Sequence, residues 1–175
     1  MVANAKLFKE IGYEVVLVGL DKTEDHFLYE GLQCINLEYP HSAFDWIHYL
    51  MQVKNYVPFI EQFSPKIIIA YNHPAVALDR IINYCVPRGI KIVSDCTEWY
   101  TPEGSIIQRT IKGWDTKKRM EKIHLKVDGI FSISRFLHEY YLSRSVKSLL
   151  LPPLVDSRAN KWKCGLNHGK IGRLY

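Results

Sequence analysis

The sequence predicts an α/β fold in which a parallel β-sheet carries helices on both faces. Three observations predict it. Short runs rich in Val, Ile and Leu alternate with longer amphipathic segments, the order that strand–helix–strand units produce. Those runs are almost continuously apolar, as in Val15-Val16-Leu17-Val18 and Ile67-Ile68-Ile69-Ala70. Strands covered on both faces read this way, whereas half-exposed antiparallel strands alternate. Turn signals such as Gly12, Ser64-Pro65, Pro87 with Gly89, and Asp128-Gly129 separate the two kinds of segment.

Each element has its own warrant. Residues 2–11 carry Val2, Ala5, Phe8 and Leu7, Ile11 on one side of a helix, and Gly12 suits the position after a helix end. Residues 13–20 follow as a buried strand. A helix feeding a buried parallel strand ordinarily follows an earlier strand, so the first strand of the fold is expected to be missing. Residues 21–31 read as a polar connector and 32–37 as a short strand. Residues 43–63 form a helix with Trp46, Leu50, Val53, Val57 and Ile60 in one apolar stripe. Pro58 is expected to kink or split it. Residues 66–71 are the strongest strand. Asn72 or His73 then serves as a cap and Pro74 as the first helical residue of 75–86.

The second half repeats the pattern. Residues 90–95 form a strand with a polar tail running to Tyr100. Ser105-Ile106-Ile107-Gln108 matches a capping box, which opens a long helix to about residue 127. Residues 130–133 form a strand, Ser134 caps a helix over 135–143, and 148–151 form the last strand before Pro152-Pro153. Residues 157–170 are polar and basic like a linker, and 171–175 look like a strand cut short. The whole reads as a Rossmann-like domain over 1–156, followed by a linker and the start of a second domain over 157–175.

Composition narrows the functional classes. The chain has 175 residues, 47% hydrophobic and 23% charged, enough for a sizeable core and ordinary for a globular protein. The formal net charge of +5 is mild. No Lys/Arg block is dense enough for a nucleic-acid arm, so no nucleic-acid partner is expected. Cys34, Cys85, Cys96 and Cys164 are widely spaced and form no Cys-x-x-Cys pair, which argues against a zinc ribbon, a redox dithiol or a disulfide framework. No segment reads as a signal peptide, and no run reaches the ~20 apolar residues of a membrane span. A cytoplasmic location is expected, peripheral at the inner face of the membrane if the long basic helix binds there. That helix carries Arg109, Lys112, Lys117, Lys118, Arg119, Lys122 and Lys126 around Trp114. It reads either as a solvated face or as a contact, over 106–127, with an anionic membrane.

The candidate site lies at the strand ends. In open α/β sheets, ligands bind outside the carboxyl ends of the strands. Asp95 and Glu98, three residues apart at one such end, suit sugar hydroxyls or proton transfer; the alternative is that one of them orients the loop through backbone N–H groups. Trp99 either stacks on a sugar ring or roofs the core. Asn72 and His73 end the strongest strand, as ligand contacts or as caps. Ser134 and Arg135 place a helix N-terminus and a guanidinium at the same edge, a plausible anion site. There is no G-x-G-x-x-G, no P-loop and no G-x-S-x-G, and no metal-ligand spacing occurs among the seven His. Cys96 is a poor nucleophile, because Asp95 and Glu98 disfavour a thiolate.

Three segments in order carry a resemblance: Gly12-Tyr13-Glu14-Val15-Val16-Leu17-Val18-Gly19, Ile67 to His73 (Ile-Ile-Ile-Ala-Tyr-Asn-His), and Ile92 to Tyr100 (Ile-Val-Ser-Asp-Cys-Thr-Glu-Trp-Tyr). Two later segments, Val127-Asp128-Gly129-Ile130-Phe131-Ser132-Ile133-Ser134-Arg135-Phe136-Leu137 and Leu151-Pro152-Pro153-Leu154-Val155-Asp156, extend it. The set resembles the N-terminal domain of family-4 retaining glycosyltransferases of the GT-B fold, over about residues 1–156. The resemblance implies one half of a GT-B fold, in which the N-terminal domain holds the acceptor and a second domain grips the nucleotide sugar. It implies hexosyl transfer to a glycan or lipid-linked acceptor, as in polysaccharide biosynthesis, with the nucleotide sugar as substrate and neither cofactor nor metal. The positions it marks for the acceptor are Asn72, His73, Asp95, Thr97, Glu98, Trp99, Ser134 and Arg135. The chain departs from the pattern in lacking the glycine-rich loop and the donor domain. Where the family often has a His after the fifth strand, Thr97-Glu98 stand here, so no catalytic group is assigned. The chain by itself is expected to be inactive. The competing class is a non-catalytic Rossmann-like binding module.

Overall fold

The computed structural model describes residues 2–20, 26–51, 53–99 and 105–154. Helix α1 (Val2–Glu10) leads through Gly12, at φ +96°, into strand β1 (Val16–Leu20). Strand β2 (His26–Tyr29) and strand β3 (Leu32–Leu37) form an antiparallel hairpin, and β1 pairs parallel with β3. The second half of the expected polar connector is thus a strand. Its two-residue turn, Glu30-Gly31, has φ +49° and +80°, the primed geometry whose twist matches a hairpin. Glu in place of Asn or Asp at the first position disguised it. Glu30 is held in that conformation beside the Lys6 ammonium at 2.5 Å.

The helical region over 43–63 is two helices, α2 (Ala43–Met51) and α3 (Val57–Phe63). Ser42 and Asp45 cap α2 reciprocally: the Asp45 N–H donates to Ser42 Oγ and the Ser42 N–H to the Asp45 carboxylate. Pro58 sits in the first turn of α3, where its missing N–H costs nothing. Strand β4 (Ile67–Tyr71), helix α4 (Ala75–Cys85) and strand β5 (Lys91–Cys96) follow, with one 3-10 turn and Gly89 at φ +71° ending the helix. Helix α5 covers Ile106–Lys118 only. The expected continuation to residue 127 is a π-turn (Arg119–Ile123) and a 3-10 turn (His124–Lys126). Its buried positions Thr116, Met120, Ile123 and Val127 keep helical spacing, so periodicity gave no sign of the change. Strand β6 (Gly129–Ser132), helix α6 (Arg135–Leu142) and strand β7 (Ser148–Leu150) complete the described chain. Residues 157–175, read as a linker and an interrupted strand, lie outside the described residues.

Strands β4-β5-β6-β7 form an all-parallel sheet in sequence order. Its core face sets Ala70, Ile92, Cys96 and Ile130 against Ala75, Leu78, Ile82, Met120, Leu137 and Tyr141. On the other face Phe8 of α1 stacks on Phe131 with ring centroids 6.3 Å apart. Helices therefore lie on both faces, and the fold is Rossmann-like α/β. Asp128 fastens the base of the sheet: its carboxylate accepts the Ile92 N–H at 2.9 Å and the Lys91 ammonium at 2.9 Å. Burial opposes its ionisation, yet those bonds hold the carboxyl below its usual range.

The strands do not form one sheet. β1-β3-β2 is separate, and among the described residues β1 and β4 each have a side with no strand beside it. Along β4, Ile67, Ile69 and Tyr71 share one face and are 45%, 36% and 43% exposed. An apolar edge of this kind templates association with other chains. Ile69→Lys is expected to lower self-association, read by light scattering at high concentration, while stability stays within about 0.5 kcal/mol.

Candidate functional site

The carboxyl ends of β4, β5 and β6 are adjacent by register: Tyr71 lies beside Asp95 and Asp95 beside Phe131. Seven of the eight sequence-predicted positions fall within three residues after these strand ends, and Asp95 is the penultimate residue of β5. The tightest link joins the first two. Asn72 adopts φ +43°, a left-handed conformation that Asn tolerates better than most residues. Its backbone N–H donates to the Asp95 carbonyl at 3.2 Å. Its side-chain amide donates to Thr97 Oγ1 at 2.6 Å, and its side-chain carbonyl accepts the Thr97 N–H at 3.5 Å. Asn72 and Thr97 thus clamp two neighbouring strand ends together.

Neither Asn72 nor His73 caps α4, contrary to expectation. Pro74, with extended ψ of 141°, holds the N-cap position, and it has no side-chain donor or acceptor. The first free N–H, of Ala75, is taken instead by Asp115 Oδ1 at 2.8 Å, from α5. That carboxylate at a helix N-terminus is favoured by both hydrogen bonding and the helix dipole. Asp115 also pairs with Arg119 at 3.5 Å, and Arg119 donates to the Asn72 and His73 carbonyls at 3.4 Å each. Arg119 is 4% exposed, so it belongs to the floor beneath the strand ends and not to a solvated or lipid-facing stripe. Sequence reasoning grouped it with its cationic neighbours. The available signal was Asp115, the acidic residue one helical turn before it.

The His73 and Tyr56 rings meet edge to face, with centroids 5.2 Å apart. The His73 Nε2 is buried without a hydrogen-bond partner among the described residues. Burial, with the Arg119 charge second, lowers its pKa to about 4, so the imidazole is neutral at pH 7. Below the floor, His124 is 1% exposed and bridges Ser94 Oγ at 2.9 Å and the Tyr141 hydroxyl at 2.6 Å. Burial, and again Arg119, lowers its pKa to about 3. Both histidines have folded pKa values below the unfolded 6.5. The unfolded chain therefore binds more protons between about pH 6.5 and 3, and the stability they contribute is present above 6.5 and lost as pH falls. Chemical denaturation at pH 7 and pH 5 is expected to show the chain less stable at pH 5, with the gap narrowed in His73→Gln.

Asp95 is 8% exposed, and burial raises its carboxyl above the usual range. Here the sign reverses. The folded state holds the proton more tightly, so the stabilising contribution is present at low pH and lost as pH rises through the folded pKa. Asp95→Asn is expected to raise the Tm at pH 7 and to leave it unchanged at pH 3, measured by calorimetry.

The remaining positions divide by exposure. Glu98 is exposed. Trp99, 40% exposed, rests on Tyr140 and Phe136 of α6 with centroids 5.0 and 6.2 Å away. One side of the indole is packed and the rest meets solvent. Ser134 caps α6, its Oγ accepting the Leu137 N–H at 3.3 Å. Arg135, the first residue of that helix, is exposed. The edge thus offers a half-packed indole, an exposed carboxylate at Glu98, a protonatable carboxyl at Asp95 and a guanidinium. Hydrogen bonding to hydroxyls and stacking on a ring are within its means. Among the described residues no group of His, Cys, Asp and Glu could hold a metal ion, and no helix is long and apolar enough to cross a membrane. No protein-family model matches the chain, and no curated protein matches it.

Proposed function

We propose that this chain is the acceptor-side half of a hexosyl-transferring glycosyltransferase of the GT-B type. The observation that supports the reading most is the meeting of Asn72, Asp95, Thr97, Trp99 and Arg135 at three adjacent strand ends of a Rossmann-like sheet. A half-exposed indole next in sequence to the exposed Glu98 carboxylate is chemistry suited to a sugar: the ring stacks and the hydroxyls find an acceptor. The acceptor is a glycan or lipid-linked glycan, and the nucleotide-sugar donor belongs to a second domain. Glu98, Trp99 and Arg135 contact the acceptor, Asp95 shapes the cleft floor, and Asn72 with Thr97 fixes the two walls.

The test has two arms. The labelled chain is applied to a glycan array and, separately, incubated with UDP- and GDP-hexoses. The reading predicts selective glycan retention and no release of nucleotide. Turnover of a nucleotide sugar by the purified chain contradicts the assignment of the donor to another domain. A second reading, a binding module without catalysis, is favoured by a different observation. Asn72, Ser134, Asp115 and Arg119 are all engaged in holding the fold. It predicts glycan retention that persists without any transfer when the chain is combined with a donor domain.

A further inference from the structure

Helix α5 presents a face that nothing in the described fold covers. Ile106 is 83% exposed, Ile111 58% and Trp114 55%. At about 100° per residue, Ile106, Thr110, Ile111, Trp114, Lys117 and Lys118 fall within one arc of about 140°. The opposite side goes inward, with Thr116 buried on α5 and Arg119 and Met120 buried just beyond it. Three large apolar side chains on one outward face are unusual for a helix with a free surface.

The charges around that face decide what fits it. Lys117 is exposed within that arc, whereas Arg109 and Lys112, also exposed, stand on the far side of the helix with Thr116. Lys118 places its ammonium 4.8 Å from the centroid of the Trp114 ring. The one acidic residue of the helix, Asp115, is turned to the Ala75 N–H and Arg119. The outward side of α5 is therefore cationic as well as apolar. A groove of Trp114, Lys117, Lys118, Glu121 and Lys122 continues it beyond the helix end. Protein interfaces deplete Lys around their apolar centres. Interfacial helices do the reverse: indole and branched aliphatic groups enter the headgroup boundary while lysines reach the lipid phosphates.

We infer that α5 lies in the plane of an anionic bilayer surface, with Ile106, Ile111 and Trp114 inserted and Lys117 and Lys118 on the headgroup phosphates. The inference stands on α5 and does not depend on glycosyl transfer. The sequence reading extended the contact to residue 127. Geometry ends it near Lys122, because Arg119 is buried and Lys126 is paired with Asp79 at 2.7 Å.

The chain is mixed with vesicles of phosphatidylcholine alone and with about 30 mol% phosphatidylglycerol, at low and high salt. Cosedimentation and Trp emission are read together. The expected result is partition onto the anionic vesicles only, a blue-shifted emission, and loss of both as salt rises. Each basic residue near the surface contributes roughly a fivefold gain. The double variant Lys117→Glu, Lys118→Glu should therefore weaken binding at least about 25-fold. Trp114→Ser should weaken binding about tenfold and abolish most of the blue shift. Both variants alter exposed or half-exposed positions, and their circular dichroism melts should match the parent. Equal partition onto neutral and anionic vesicles overturns the inference. So does full binding by Trp114→Ser, or a concentration-dependent dimer that Trp114→Ser dissolves, which would assign the face to a second copy of the chain.

Discussion

Replacing Tyr141 with Ala is expected to cost about 3–5 kcal/mol, a large share of the ~5–15 kcal/mol that holds a domain of this size folded. Tyr141 is 0% exposed, and its ring lies between Met120, Cys96 and His124. Truncation opens a cavity at the point where α6, the π-turn and β5 meet. It also strands the imidazole. His124 is neutral, and its ring nitrogens are bonded to Ser94 Oγ and to the Tyr141 hydroxyl, which also lies 3.2 Å from Met120 Sδ. Tyr141→Phe keeps the ring but leaves one ring nitrogen of His124 buried and unpaired, at about 1–3 kcal/mol. Urea denaturation separates the two contributions. A Phe variant as stable as the parent would show that the hydroxyl network adds nothing beyond packing.

Arg119→Met is expected to cost about 3 kcal/mol and to disturb the candidate site from below. The guanidinium joins the Asp115 carboxylate to the Asn72 and His73 carbonyls. Without it, two carbonyls at the β4 end lose a donor, and Asp115 keeps the Ala75 N–H alone of these bonds. Asn72, already in the left-handed region, loses part of what holds it there. The variant has a second signature. Burial first and the Arg119 charge second depress both His73 and His124, so removing the charge should move both imidazole titrations upward while burial still holds them below 6.5. Proton NMR of the histidine ring resonances reads this directly. Asp115→Asn, which keeps the cation, should leave both titrations low.

Much of the architecture was legible because β4, β5 and β6 are short β-branched runs between strong turn signals. Such runs suit little else. The hairpin at Glu30-Gly31 was not legible, since a charged residue occupied a position where Asn or Asp is the usual sign. The π-turn at 119–123 was hidden because its buried residues keep helical spacing. Pro74 misled in another way: it follows a strand and precedes a helix, and both N-cap and N1 fit that description. The site was legible wherever chain order alone delivers a residue to a strand end, as with Asn72, Asp95, Thr97 and Trp99. Arg119 and Asp115 arrive from a distant helix, and only packing brings them under the edge. Separate sheets were also beyond reach, because periodicity describes strands and not the partners beside them.

Under the proposed function a glycan acceptor sits on the strand ends, with the indole of Trp99 as its platform. The most direct measurement titrates the glycan best retained on the array into the isotope-labelled chain and follows the indole N–H resonances. The expected result is that the Trp99 resonance shifts with saturation while that of Trp114 stays fixed, and that Trp99→Ala weakens binding about tenfold with the fold retained by circular dichroism. A shift at Trp114 without one at Trp99, or Trp99→Ala binding as tightly as the parent, would contradict it.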